Sequence, residues 1–164
     1  MDTFDLRKYL AEGRLLNEVG EGTSQPYNWK EISSDEFITY VRFVTDTETE
    51  YMVELEYFKS NFEFAKDLPG FSLGFEAKIK GEYEFSKSVI VNRGEVYRVM
   101  ATITNIINHY LEDNKIITYT PEKKTGEEFG TKRDSLYKAF ITKKIPNVEF
   151  KQIGEMIVAI LPHN

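Results

Sequence analysis

Between Phe71 and Tyr119 the spacing of apolar side chains changes twice, and this change restricts the fold more than any other feature of the chain. Phe71, Leu73, Phe75, Ala77 and Ile79 alternate with Ser72, Gly74, Glu76 and Lys78, the period of two expected of a strand with one buried face. From Gly94 the period becomes helical: Val96, Val99, Met100, Ile103, Ile107, Tyr110 and Leu111 recur at i, i+3, i+4 and i+7 spacing up to Asp113-Asn114. A short apolar strand, Ile116 to Tyr119, follows and stops at Pro121. Strand, helix and strand in one sheet require a right-handed crossover and a locally parallel pair.

The flanking segments predict an antiparallel surround. Glu36 to Thr45 and Glu50 to Phe58 read as a hairpin about Asp46-Thr47-Glu48-Thr49, with Tyr51, Val53, Leu55 and Tyr57 on one face and Glu54 and Glu56 on the other. Asp67-Leu68-Pro69-Gly70 supplies a turn before the third strand. Gly81 to Asn92 stays ambiguous, with Tyr83, Phe85 and Val89 to Val91 as candidates to extend or edge the sheet. Arg133 to about Lys144 reads as a second helix with Leu136, Tyr137, Phe140 and Ile141 inward, ended by Pro146-Asn147. Val148 to Ile153 and Glu155 to Leu161 form a hairpin about Gly154. At the N-terminus Asp2 or Thr3 can cap a helix through about Leu16, Gly20 to Pro26 reads as a connector, and Trp29 staples that connector onto the core.

The expected class is therefore α+β, or α/β layered, with helices packed on a mixed, mostly antiparallel sheet. At 164 residues the chain suits a single domain, 1–164, divided into an N-terminal helix and connector (1–26) and a core (27–164). With 41% hydrophobic and 14% aromatic residues it can fill a core. Zero Cys excludes disulfides, thiolate zinc sites and cysteine nucleophiles. No run reaches the length of a membrane span, and Met1 to Gly13 lacks the basic start and apolar stretch of a secretory signal, so the expectation is a cytoplasmic protein with no membrane partner. The net charge of −6 disfavours a general nucleic-acid binder. It is unevenly spread: residues 1–58 carry 13 acidic and 5 basic side chains, and residues 59–164 carry 14 and 16, leaving room for a small anionic ligand in the second part.

From the hairpin at Glu36 to Leu161, the order of elements resembles the GNAT N-acetyltransferase superfamily, in its central helix and closing hairpin. In that family a phosphate-cradling turn of the pattern Arg-x-x-Gly-x-Gly/Ala precedes the helix that receives the coenzyme A diphosphate, where free N–H groups and the helix dipole favour an anion. Here the stretch reads VNRGEVYRVM, Val91 to Met100. The resemblance places the cofactor, acetyl-CoA, against Arg93, Gly94, Glu95, Val96, Tyr97 and Arg98. Arg93-Gly94 matches the start of an Arg-Gly-x-Gly-x-Gly form of the motif, whereas Val96 and Arg98 stand where its later glycines would be, and a Cβ there obstructs backbone approach to phosphate. Leu136-Tyr137-Lys138-Ala139-Phe140 resembles the family's Leu-Tyr-x-x-x-Gly-Phe, which makes Tyr137 the general acid for the departing thiolate. Tyr137 read from the residues alone is a core residue on the stripe with Phe140 and Ile141. Arg133 corresponds to the polar residue that often begins that helix.

The chain is also similar in layout to uncharacterised tailed-phage proteins, with a helix like FDLRKYLAEGRL at the start, and Leu10-Ala11-Glu12-Gly13 resembles the cleavage pattern of phage prohead proteases. That likeness implies a host-cell or virion-associated protein. The sequence supports a phage-related GNAT-like domain with a degenerate acetyltransferase site, serving as a binding or interaction module for a protein partner or small anionic ligand. An active coenzyme A-dependent N-acyltransferase is the alternative, and a nucleic-acid-binding accessory protein using Lys123, Lys124, Lys132, Arg133, Lys138, Lys143 and Lys144 is a second. Glu54, Glu56 and Glu76 share a sheet face and could form a metal or general-base cluster, against which Arg42 and Lys78 on that face predict cross-strand ion pairs. His109, near the helix end, suits the helix dipole, and with only His163 elsewhere no histidine metal site is expected.

Overall fold

The computed structural model describes residues 25–85, 95–120, 138–139, 141–143 and 145–162. Its strands are β1 (Trp29–Ser34), β2 (Ile38–Val44), β3 (Glu50–Lys59), β4 (Pro69–Lys78), β5 (Ile116–Tyr119), β6 (Glu149–Ile153) and β7 (Met156–Ile160), with one main helix, α1 (Val96–Leu111). They form one mixed sheet in the order β1-β2-β3-β4-β5-β7-β6. Every described pairing is antiparallel except β4 with β5, the pair that α1 joins. The fold is α+β with a mostly antiparallel sheet, as the two changes of apolar period require.

The apolar stripe of α1 covers one face of the sheet. Val99, Ile103, Ile106 and Ile107 are at most 2% exposed and belong to one cluster with Val41, Phe43, Val53, Leu55, Phe71 and Ile117. Burying each such side chain is worth about 1.5–3 kcal/mol, so this layer is the main source of cohesion. Tyr27 stacks on Phe43 (6.1 Å) and Phe43 on Tyr51 (4.9 Å), which carries the aromatic layer from the connector into the sheet. Ile141 and Ile145 join the same cluster; residues 138–139 and 141–143 are helical, as expected there.

Two stretches differ from the sequence expectation. A strand at Trp29–Ser34 precedes the expected hairpin. It is an edge strand, exposed at every position after Trp29, so no alternation marked it. Asp35 then takes the N–H groups of Phe37 and Ile38 on its Oδ1 (2.7 and 2.9 Å), a side-chain turn that delays β2 to Ile38. Residues 81–85 add no strand. The expected N-terminal helix, the prohead-like Glu12-Gly13 site, residues 86–92 and the loop from Glu122 lie outside the described residues.

Trp29 ties the start of β1 to α1: its indole N–H donates to Asn105 Oδ1 (2.8 Å) and its ring meets His109 edge-on at 5.1 Å. Thr102 adds an anchor that apolar periodicity does not reveal. Its Oγ1 accepts the Tyr27 N–H (2.8 Å) and donates to the Arg98 carbonyl (2.6 Å), so a threonine with no exposed surface satisfies both groups.

The parallel junction is narrow. Gly70 pairs with Ile116, Phe71 with Ile117 and Ser72 with Thr118, and there the ladder ends. A Cβ at Gly70 would lie 2.4 Å from the Ile116 carbonyl oxygen, a backbone atom that cannot swing aside. Gly74, four residues on, has nothing within 4 Å of its missing Cβ. Gly70→Ala should therefore destabilise the protein by about 1–3 kcal/mol. Gly74→Ala should be neutral or stabilise by up to about 1 kcal/mol through the unfolded chain. Urea denaturation of both variants checks the contrast; equal midpoints would contradict the tight junction.

Candidate binding site where the sheet parts

Beyond Ser72 and Thr118, β4 runs on for six residues to Lys78, and no described residue pairs with it on the β5 side. The sheet thus parts between β4 and β5. Two features meet near this divergence: the start of α1 beyond the far end of β4, and a recess on the opposite sheet face at the last parallel pair.

The start of α1 holds part of the sequence-predicted set. Glu95 precedes the first turn, is only 7% exposed, and its Oε1 accepts the Thr47 N–H from the β2–β3 turn (2.9 Å). Arg98 reaches the same turn: its guanidinium donates to Asp46 Oδ2 (2.8 Å) and to the Gln25 carbonyl (2.9 Å) and lies 3.8 Å from the Tyr27 ring centre. Because Asp46 is well exposed, that ion pair is worth no more than about 1 kcal/mol. Its main effect is to fix the guanidinium over Tyr27. Burial raises the Tyr27 hydroxyl pKa above 10.0, followed by the negative charges of Glu95 and Asp46 and partly offset by Arg98. Tyr97 is half-buried against the core. Val96 opens the helix. Arg93, Gly94 and Tyr137 lie outside the described residues. The structure brings Glu95 and Arg98 together, each engaged with the β2–β3 turn.

The second feature is a recess of about 260 Å³ on the sheet face turned away from α1. Glu56 and Phe58 of β3, Ser72 of β4, Thr118 of β5 and Met156 of β7 enclose it, with Asn61 and Phe62 from the β3–β4 loop at its rim. The loop is held by paired backbone bonds, Ser60 N–H to Leu68 (2.9 Å) and Asp67 N–H to Ser60 (2.8 Å). Beneath it Ala65, Ile116 and Val158 form a small apolar cluster joined by Phe58, Phe62 and Met156. Thr118 is 4% exposed, and its hydroxyl has no hydrogen-bond partner among the described residues.

Glu54, Glu56 and Glu76 do share this face, two of them on β3 and one on β4. The ion pairs expected for them form elsewhere: Arg42 and Lys78 both meet Glu50, at 2.5 and 3.4 Å. The register explains this, since Val44, Glu50 and Lys78 lie in one cross-strand row beside the row of Arg42. No described cation pairs with Glu54, Glu56 or Glu76, and among the described residues no group of three or more His, Asp or Glu side chains could hold a metal ion. The negative charge of Glu54, followed by desolvation, its hydrogen bond and the charges of Glu56 and Asp35, raises the Tyr40 hydroxyl pKa. Glu54, Glu56 and Glu76 thus place three carboxylates on the middle of this face.

The sequence reached Glu56 but not the other walls of the recess. Thr118 was a usable sign, a hydroxyl inside the otherwise apolar run Ile116 to Tyr119. Asn61 and Phe62 gave none, since only the fold of the β3–β4 loop brings them back over β3. No family model matches the chain, and comparisons with curated proteins and with solved structures find no match. No described helix is long and apolar enough to cross a membrane.

The hydrogen bond from Arg42, followed after a burial penalty by the charges of Arg42 and Lys78, holds the Glu50 carboxyl below its ordinary 4.5. A depressed carboxylate stabilises the fold above its unfolded pKa, and that contribution is lost as pH falls through the folded value. Partial exposure limits it to about 1 kcal/mol or less. Glu50→Gln should therefore flatten the fall of stability below about pH 4.5, with the two proteins converging at the acid end, as chemical denaturation across that range would measure. An unchanged pH slope would contradict this role.

Proposed function

We propose that this chain is a binding module of GNAT-like architecture and not a working acyltransferase. The architecture is supported by the strand order, by the single parallel pair among the described strands, and by the placement of α1 between its members. Binding in place of catalysis is supported by one observation above the rest. The buried Glu95 carboxylate sits at the start of α1 and is held there by the Thr47 N–H. A diphosphate brought to that helix end would meet a fixed negative charge where it needs free N–H donors and positive potential. Arg98, the nearest described cation of the motif, is turned toward Asp46 and Gln25. Val96 and Arg98 also replace the glycines that let backbone approach phosphate.

A second reading, an active N-acyltransferase taking acetyl-CoA on Arg93 and Gly94 with Tyr137 as acid, draws on the ladder's end at Ser72 and Thr118. The six further residues of β4, unpaired on that side among the described residues, would offer backbone donors and acceptors to an extended ligand chain.

Titration with acetyl-CoA and with coenzyme A, by calorimetry and thermal shift, separates the two. The binding-module reading expects no heat and no shift at about 1 mM ligand. Micromolar binding would instead stabilise the fold by about 4 kcal/mol at a thousandfold excess over the dissociation constant. Such binding, abolished in Arg93→Ala, would overturn the proposal in favour of the enzyme.

A further inference from the structure

We propose that the recess at the parting of β4 and β5 binds a primary alkylammonium group. Its polar groups are oxygen acceptors suited to N–H donors. Thr118 is 4% exposed and its hydroxyl faces no described partner; Ser72, paired with it across the parallel junction, presents a second hydroxyl; Glu56 supplies the charge. An ammonium has three N–H donors and no acceptor, so it can meet all three oxygens at once. The remaining walls, Phe58, Phe62 and Met156, are apolar and partly buried. The apolar walls suit an alkyl stem, a Phe ring can turn its face to the cation, and about 260 Å³ accommodates both.

Other ligand classes fit less well. An anion would meet Glu56 with Glu54 and Glu76 on the same face, while Arg42 and Lys78 are engaged by Glu50 at the far end. A calcium ion takes six to eight oxygens, which a recess half walled by Phe and Met does not offer. A neutral apolar guest would leave the Glu56 carboxylate and the Thr118 hydroxyl without partners.

The ammonium can come from a free amine or from a lysine side chain of another protein. The inference rests on the recess alone and is unaffected by whether coenzyme A binds at α1.

The test is an NMR titration of the full chain, at constant ionic strength, with n-butylammonium chloride and with n-butanol as the neutral analogue. Saturable shifts at Glu56, Ser72 and Thr118 are expected for the ammonium with a dissociation constant on the order of 1 mM, and binding at least about tenfold weaker for the alcohol. Glu56→Gln, an exposed position whose replacement disturbs no packing, should weaken the ammonium by about tenfold and leave the alcohol unchanged. Thr118→Val, of matching shape, should weaken it severalfold. Equal binding of ammonium and alcohol, an unaltered Glu56→Gln response, or no saturation by about 50 mM would overturn the proposal. Nα-acetyl-lysine amide distinguishes the source: tighter binding than n-butylammonium points to a lysine of a protein partner, and weaker binding points to a free amine.

Discussion

The approach of Gly70 to the Ile116 carbonyl sets the arrangement of the whole sheet. An antiparallel meander, β1 to β4, and a closing unit, β5, β7 and β6, touch as strands only along three residue pairs. Lys115 reinforces the seam from both sides, its N–H donating to the Pro69 carbonyl (2.7 Å) and its carbonyl accepting the Leu161 N–H (2.9 Å). A side chain at position 70 would wedge the two halves apart at the point where α1 delivers the chain to β5. The brevity of this junction also shapes the candidate site, because a longer ladder would cover the edge of β4 that has no partner among the described residues and the recess beside Thr118.

The two faces of the sheet differ in character, the α1 face filled by packing and the other mixing carboxylates with a small apolar cluster. One side of the sheet is filled by aliphatic and aromatic residues, with Thr39 and Thr102 using their hydroxyls to satisfy internal partners. The other side leaves three carboxylates without described cations and turns the Thr118 hydroxyl toward a recess. At the start of α1 the charged groups are met within the protein, Glu95 by the Thr47 N–H and Asp46 by Arg98.

Much of the fold was legible because strand and helix periods differ. Tyr51, Val53 and Leu55 against Glu54 and Glu56 fixed the faces of β3, and Val99, Ile103 and Ile107 fixed the inward side of α1. Trp29–Ser34 was hidden because an exposed edge strand needs no alternation. Arg42 and Lys78 were placed on the correct face, yet their partner is Glu50; face follows from parity, whereas partner depends on cross-strand register. The recess was hidden for a related reason. Glu56, Ser72, Thr118 and Met156 come from four strands distant in sequence, and only the parallel junction between Ser72 and Thr118 brings them together.

The central claim is that the β4–β5 ladder stops at Ser72 and Thr118, and residue-resolved amide hydrogen exchange measures it most directly. Alternate amides between residues 73 and 78 face away from β3 and have no partner among the described residues, so they should exchange fast, while their neighbours bonded to β3 and the amides at the junction with β5 remain protected. Uniform protection along β4 to Lys78 would contradict the account, because it would mean that the sheet does not part there.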